Sequence, residues 1–188
     1  MGTMAGGATD GFRHILSTAR LRLRELGRGD LDDLQAVLGD PVSMRYYPKP
    51  FDRDMTAAWI ERCLKSYARN GFGLWAVVDK RDDELVGDCG LTWQLVDGVD
   101  ELEIGYHLRR AYHGQGLATE AAAGCRDYAF DVLGRDRVIS WMGPDNTPSR
   151  RVAERLGMRF EKATVNRYGK PAVVYAITRA ERDAAGGR

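Results

Sequence analysis

Between residues 101 and 133 the sequence reads ELEIGYHLRRAYHGQGLATEAAAGCRDYAFDVL, and its period changes half-way. That change constrains the fold more than any other feature. In the first eight residues Leu102, Ile104, Tyr106 and Leu108 point one way; Glu101, Glu103, Gly105 and His107 point the other, the two-residue period of a strand. After the glycines the apolar positions recur at helical spacing, and Ala118, Ala122, Cys125, Ala129 and Val132 are the expected buried stripe. Gly114 and Gly116 lie between. Glycine inside a helix costs about 1 kcal/mol against alanine, so the pair belongs to a loop or first turn. A strand, a glycine loop and a helix N-terminus make an anion site, because unpaired N–H groups and the helix dipole point at the loop. A plain tight turn is the alternative. A Walker loop is absent, Thr119 occupies the third slot of a dinucleotide fingerprint, and five residues separate strand from glycines.

Around this unit the sequence predicts a mixed α/β domain. Strands are expected at Leu21–Leu26, from Leu74, over Leu85–Leu95, at Arg137–Met142, around Glu161–Asn166 and over Pro171–Thr178. Leu85, Cys89, Leu91, Trp93 and Leu95 are placed on one face, and Asp97-Gly98 signals a hairpin. Asp30 is expected to cap a short helix. Met55–Arg69 reads as an amphipathic helix ended by Asn70-Gly71, and Asn146–Met158 as a short helix stopped at Gly157. Prolines 48 and 50 make Tyr46–Phe51 a loop. An antiparallel meander followed by a β-α-β-α portion accounts for the order.

With 188 residues, 44% hydrophobic and 29% charged, the chain suits one domain. Residues 1–17 are expected as a disordered leader, 18–179 as the domain and 180–188 as a flexible tail. No apolar run nears the roughly 20 residues of a membrane helix, and no membrane partner is expected. A net charge of +1 argues against bulk nucleic-acid binding. Cys63, Cys89 and Cys125 lack metal-ligand spacing and read as reduced thiols of a cytoplasmic protein. Residues 79–103 hold nine acids and two bases, a bias that hints at a cationic partner.

In order along the chain, several segments resemble the GNAT superfamily of acetyltransferases. HGQGLA (His113–Ala118) is similar to its R/Q-x-x-G-x-G/A loop, and DNTPSRRVAERLGM to its N-x-x-S…L-G-F/M helix. TARLRLREL, GFGLWAVVDKRDDELVGDCGL and ELEIGYHL match earlier strands, so the likeness runs from about Thr18 to Thr178. It is nearest the Rim-type branch, the ribosomal-protein N-terminal acetyltransferases and their relatives. The resemblance implies an α/β fold with a mostly antiparallel sheet of six to seven strands and about four helices. It implies direct acyl transfer from acetyl-coenzyme A to an amine, either a small molecule or a protein N-terminus, with no metal.

Carried over residue by residue, His113, Gly114, Gln115, Gly116, Leu117, Ala118 and Thr119 would cradle the pyrophosphate. The backbone of Tyr106, His107 and Leu108 would pair with the pantetheine arm and supply an oxyanion donor. Glu103 is the expected base, with Glu101 as the lesser candidate. Asn146 would contact the cofactor or an ordered water, or cap the helix; Ser149 would face the cofactor. Departures exist: His113 replaces Arg or Gln, Met158 replaces Phe, and Ala153 stands where many members carry a tyrosine acid. Water or Tyr175 would then reprotonate the thiolate. The missing acid also admits a different class, a degenerate coenzyme A sensor or interaction module. Exposed strands and the apolar GLTWQL offer a homodimer surface.

Overall fold

The computed structural model describes residues 12–166 and 168–186. Among them are eight strands in one sheet: β1 (His14–Ser17), β2 (Leu21–Arg24), β3 (Leu74–Asp79), β4 (Leu85–Val96), β5 (Val99–Leu108), β6 (Arg137–Met142), β7 (Arg159–Val165) and β8 (Pro171–Thr178). They run β1-β2-β3-β4-β5-β6-β8-β7 across the sheet. Neighbours are antiparallel except β5 and β6, which are parallel. The helices are α1 (Leu31–Leu38), α2 (Arg53–Asn70), α3 (Leu117–Asp131), α4 (Thr147–Arg155) and α5 (Arg179–Gly186). The expected mixed α/β class holds, with a strand and a helix more than the resemblance implied.

Local chemistry sets the element ends. Asp52 Oδ1 accepts the Met55 N–H at 2.8 Å, and Gly71 closes α2 at φ 77°. Asp97 and Gly98 take φ 50° and 82°, the doubly left-handed turn that joins β4 tightly to β5. Asp30 does precede α1, but its carboxylate caps nothing there. It binds Arg24 at 2.7 and 2.9 Å and the Gly27 N–H at 2.7 Å.

Each face of the sheet has its own core. Trp75, Cys89, Leu91, Leu102, Ile104 and Phe130 are buried together beneath α3 and α4. Leu34, Leu38, Ile60, Leu74, Val78 and Leu85 are buried beneath α1 and α2. Fully burying such a side chain is worth about 1.5–3 kcal/mol, so each layer is held by many small equal gains. The single face expected for Leu85–Leu95 is broken by a bulge. Val77 lies opposite Gly87 but Val78 opposite Leu85, so Val86 is extra and Leu85 turns to the α1/α2 side. Trp93 and Leu95 run beyond the helices and are 41% and 65% exposed. Val132 is also exposed, because α3 ends at Asp131 and Phe130 fills the core instead.

Two segments read as loose are built into the structure. The leader expected over 1–17 lies outside the described residues as far as residue 11, but from His14 the chain pairs with β2. The tail from 180 is helical to Gly186, and Arg182 fastens it to Asp131 at 2.7 Å and Asp127 at 3.2 Å on α3. Residues 187 and 188 lie outside the described part.

Candidate active site

The parallel pair β5 and β6 touches at a single register point, Glu103 opposite Ile139. Beyond it the strands splay, and among the described residues no strand pairs with β5 from Gly105 to Leu108 on that side. The gap opens toward the loop leading into α3. Side chains on β5 divide across it: Tyr106 lies with the α3/α4 core, whereas Glu103 and His107 take the α1/α2 side.

At the end of the gap, Gly114 and Gly116 adopt φ 75° and 79°. A Cβ at Gly114 would meet nothing within 4 Å, so backbone conformation, not crowding, calls for glycine there. The first helical bond of α3 is Glu120 N–H to Gly116 O at 3.0 Å. The N–H groups of Leu117, Ala118 and Thr119 precede it and are left to the loop. Gly116 is the N-cap and offers no side chain to them. Such amides at a helix start fit a pyrophosphate. Arg20 braces the loop: Nη1 donates to Gln115 O at 2.9 Å and Nε to Glu120 Oε2 at 2.6 Å. Glu120 Oε1 accepts the Thr18 hydroxyl at 2.5 Å and the Arg20 N–H at 2.7 Å. Burial works against the Glu120 charge, but these bonds outweigh it and hold the carboxyl below its usual range. His113 Nε2 donates to Leu108 O at 2.8 Å, so it ties the loop to the strand. Arg20 went unnoticed in the sequence, being 95 residues from the loop it clamps.

Glu103 sits at the root of the gap. Gln94 Nε2 donates to Oε2 at 2.7 Å, Thr92 Oγ1 at 3.3 Å, and the Trp141 N–H also reaches it. Desolvation dominates and raises its carboxyl above the ordinary range, toward the pH at which a base works best. Glu101 is otherwise engaged: Arg137 grips it at 3.0 Å and also holds Glu161 at 2.8 Å. That ion-pair cluster engages the lesser base candidate. Asn146 lies at the start of α4, where Oδ1 accepts the Ser149 N–H at 3.2 Å. Of its two expected roles, the cap is visible. Ser149 O accepts the Tyr106 hydroxyl at 3.1 Å, which joins β5 to α4 across the gap. Ala153 is fully buried, and the Tyr175 hydroxyl oxygen accepts the Arg150 Nε–H at 3.1 Å.

His107 was expected to offer its backbone to the cofactor arm, and its side chain lies on the face it shares with Glu103, as alternation placed it. Nδ1 lies 2.7 Å from Asp88 Oδ1 and Nε2 lies 2.7 Å from the Tyr47 hydroxyl. Trp59 Nε1 donates to Asp88 Oδ2 at 2.8 Å. Phe51 and Trp59 pack edge-on at 5.5 Å, and Trp59 and His107 at 5.6 Å. Cys63 lies nearby, and burial, helped by Asp88, pushes its thiol up to about 12, so it is no nucleophile. The acidic bias of 79–103 is largely spent internally. Asp79 pairs with Arg81, Asp83 with Arg22, Glu84 with Arg109 and Asp97 with Lys162.

A model of the acetyltransferase (GNAT) domain matches residues 20–159. The chain belongs to the GNAT acetyltransferases. The uncharacterized protein YkkB of Bacillus subtilis (strain 168) is 36% identical over 161 residues, 85% of this chain and 93% of that protein. FsC-acetyl coenzyme A-N(2)-transacetylase of Aspergillus fumigatus is 30% identical over 189 residues, covering 88% of this chain and 77% of its own. An acetyltransferase structure from Agrobacterium tumefaciens str. C58 superposes with a TM-score of 0.76 at 26% identity, over 95% of this chain and 100% of that one. The GNAT chain is therefore an enzyme of the N-acetyltransferase class, whose acyl donor is acetyl-coenzyme A.

Proposed function

We propose that this cytoplasmic GNAT enzyme moves an acetyl group, or a larger acyl group, directly from coenzyme A to a primary amine within a ternary complex. The acceptor is a protein N-terminus, as in the Rim-type branch, or a small cationic amine. One observation carries the reading: β5 bears Glu103 at its register point with β6, and five residues after the strand ends at Leu108 the glycine cradle begins. Base and donor site therefore follow one another along the chain, Glu103 in the middle of β5 and the cradle beyond its C-terminal end.

The donor's pyrophosphate lies on the amides from Gly114 to Thr119, with the Arg20 guanidinium beside them. The pantetheine arm follows the unpaired edge of β5. Leu108 O is already engaged by the Ser43 hydroxyl at 3.1 Å and by His113. Arg109 N–H donates to Val86 O, so by the alternation of the ladder His107 is bonded toward β4; the arm's partners are backbone groups at Tyr106 and the Leu108 N–H, one of which holds the thioester oxygen as it becomes an oxyanion. Glu103 takes a proton from nitrogen, directly or through a water. The leaving thiolate gains its proton from water or from Tyr175, whose oxygen accepts from Arg150 and so keeps its own proton to give.

A buried alanine at 153 favours one rival, a coenzyme A sensor without catalysis. A thermal-shift series with acetyl-coenzyme A, coenzyme A, longer acyl esters, ATP and NAD comes first. A ligand at 100 times its Kd stabilises by about 2.7 kcal/mol. A shift with coenzyme A compounds alone, followed by thiol release on adding an amine, supports the enzyme. Binding without release from any amine supports the sensor, and a shift with only ATP or NAD removes both.

A further inference from the structure

We propose that Tyr47, His107 and Asp88 form a proton relay for the acceptor amine, with the Tyr47 hydroxyl as the group the acceptor meets. The proposal rests on the acyltransferase reading above.

The three groups run from core to surface: Asp88 is 0% exposed, His107 8% and Tyr47 39%. Asp88 receives one donor on each oxygen, His107 Nδ1–H and Trp59 Nε1–H. Indole can only donate, and a carboxylate can only accept, so Nδ1 carries the imidazole proton. Nε2 is then the acceptor for the Tyr47 O–H. A histidine so enclosed exchanges protons with the outside through that phenol. The loop bearing Tyr47 is fixed in place: Asp40 Oδ1 accepts the Val42 and Ser43 N–H groups at 2.8 and 2.7 Å, and Ser43 Oγ donates to Leu108 O at the end of β5. Tyr47 therefore stands over the α1/α2 side of the gap, on the face that Glu103 shares.

The reaction gives such a relay something to do. An ammonium acceptor loses two protons on becoming an amide; one ends on the coenzyme A sulfur and the other in solvent. The first must leave before attack. As it passes to Tyr47 O, the phenol proton moves to His107 Nε2, and the imidazolium so formed faces the Asp88 carboxylate. No charge is created or lost in the set. His107 afterwards returns the proton through Tyr47 to water. Glu103, deeper in the gap, serves the second proton at the tetrahedral stage. Of the three relay groups Tyr47 alone touches the acceptor, and His107 and Asp88 act through it.

Tyr46 provides an internal control, being adjacent and 41% exposed. The full chain is treated with N-acetylimidazole at neutral pH, and O-acetylation of each tyrosine is timed by mass spectrometry. With a base behind it, Tyr47 reacts at least about tenfold faster than Tyr46, and His107→Gln removes the advantage. Equal rates, or an advantage that survives His107→Gln, overturn the relay. Asp88→Asn gives the same loss if it folds; His107→Gln and Tyr47→Phe stand without it. In the kinetic arm, thiol release from acetyl-coenzyme A is followed with spermine or a short peptide as acceptor. Tyr47→Phe lowers kcat about 100-fold while the acetyl-coenzyme A thermal shift is kept. An unchanged kcat sinks the proposal. If acetyl-coenzyme A fails to shift even the wild-type chain, the acyltransferase reading falls and takes the relay's purpose with it; a lost shift and a lost Tyr47 advantage are separate readings.

Discussion

The two sides of the sheet are made for different work. On the α3/α4 side the site is backbone: two left-handed glycines and the first amides of a helix, with Arg20 and Glu120 as braces. On the α1/α2 side it is side chains gathered from a loop, a helix and two strands. Tyr47 and His107 are 60 residues apart, Trp59 and Asp88 29. A backbone cradle recognises what every donor ester shares and ignores the acyl group. A side-chain cluster can differ between relatives while the strand beneath stays the same. The contrast assigns donor binding to one face and proton handling to the other.

The strongest way to break that division is Glu103→Gln. Losing a positioned base costs about 100- to 10,000-fold in kcat/KM, while the acetyl-coenzyme A thermal shift is expected to stay as it was. If the variant lost donor binding too, the faces would not be separate. A Gly116→Val variant tests the converse. A side chain at φ 79° strains the backbone by about 1–2 kcal/mol and pushes into the cradle. Donor Kd rises about tenfold, or 1.4 kcal/mol, whereas kcat at saturating donor changes little. Isothermal titration beside steady-state kinetics reads both. A fall in kcat with donor affinity intact would show that the loop serves chemistry and not holding.

The same contrast explains what the sequence disclosed. Gly114 and Gly116 announce themselves because a backbone site is written in consecutive residues. Glu103 was legible from strand alternation, which placed it and His107 on one face correctly. His107's partners were not, since nothing in a proline-broken loop marks Tyr47, and Asp88 looks like any strand-borne acid until the fold closes over it. The bulge at Val86 was equally hidden: alternation assumes an unbroken ladder, and one added residue sent Leu85 to the other core. Arg20 escaped for the reason Tyr47 did, its work lying 100 residues away at Glu120.

The finest test compares two carboxylates on opposite faces. Desolvation raises the folded pKa of Glu103, so the folded chain holds that proton more tightly than the unfolded chain. Its stabilising contribution is complete below the unfolded carboxyl's pKa and is lost as pH rises through the folded value. Near neutral pH the charged base is a burden. Glu103→Gln, whose amide oxygen can still accept from Gln94 and Thr92, should raise Tm there, and the gain should shrink in mild acid. Glu120 behaves oppositely. Burial opposes its charge, but Thr18 and Arg20 overcome that and depress its pKa, so its contribution is present above the unfolded value and disappears as pH falls through the folded one. Glu120→Gln should therefore lower Tm near neutrality, with the deficit closing in acid. Differential scanning calorimetry of both variants across pH reads the two slopes. Opposite signs mean that the cradle is held by a stabilising ion pair while the base is kept charged at a cost to the fold. Equal signs would mean that Glu103 is a structural carboxylate, and the base must be sought elsewhere on β5.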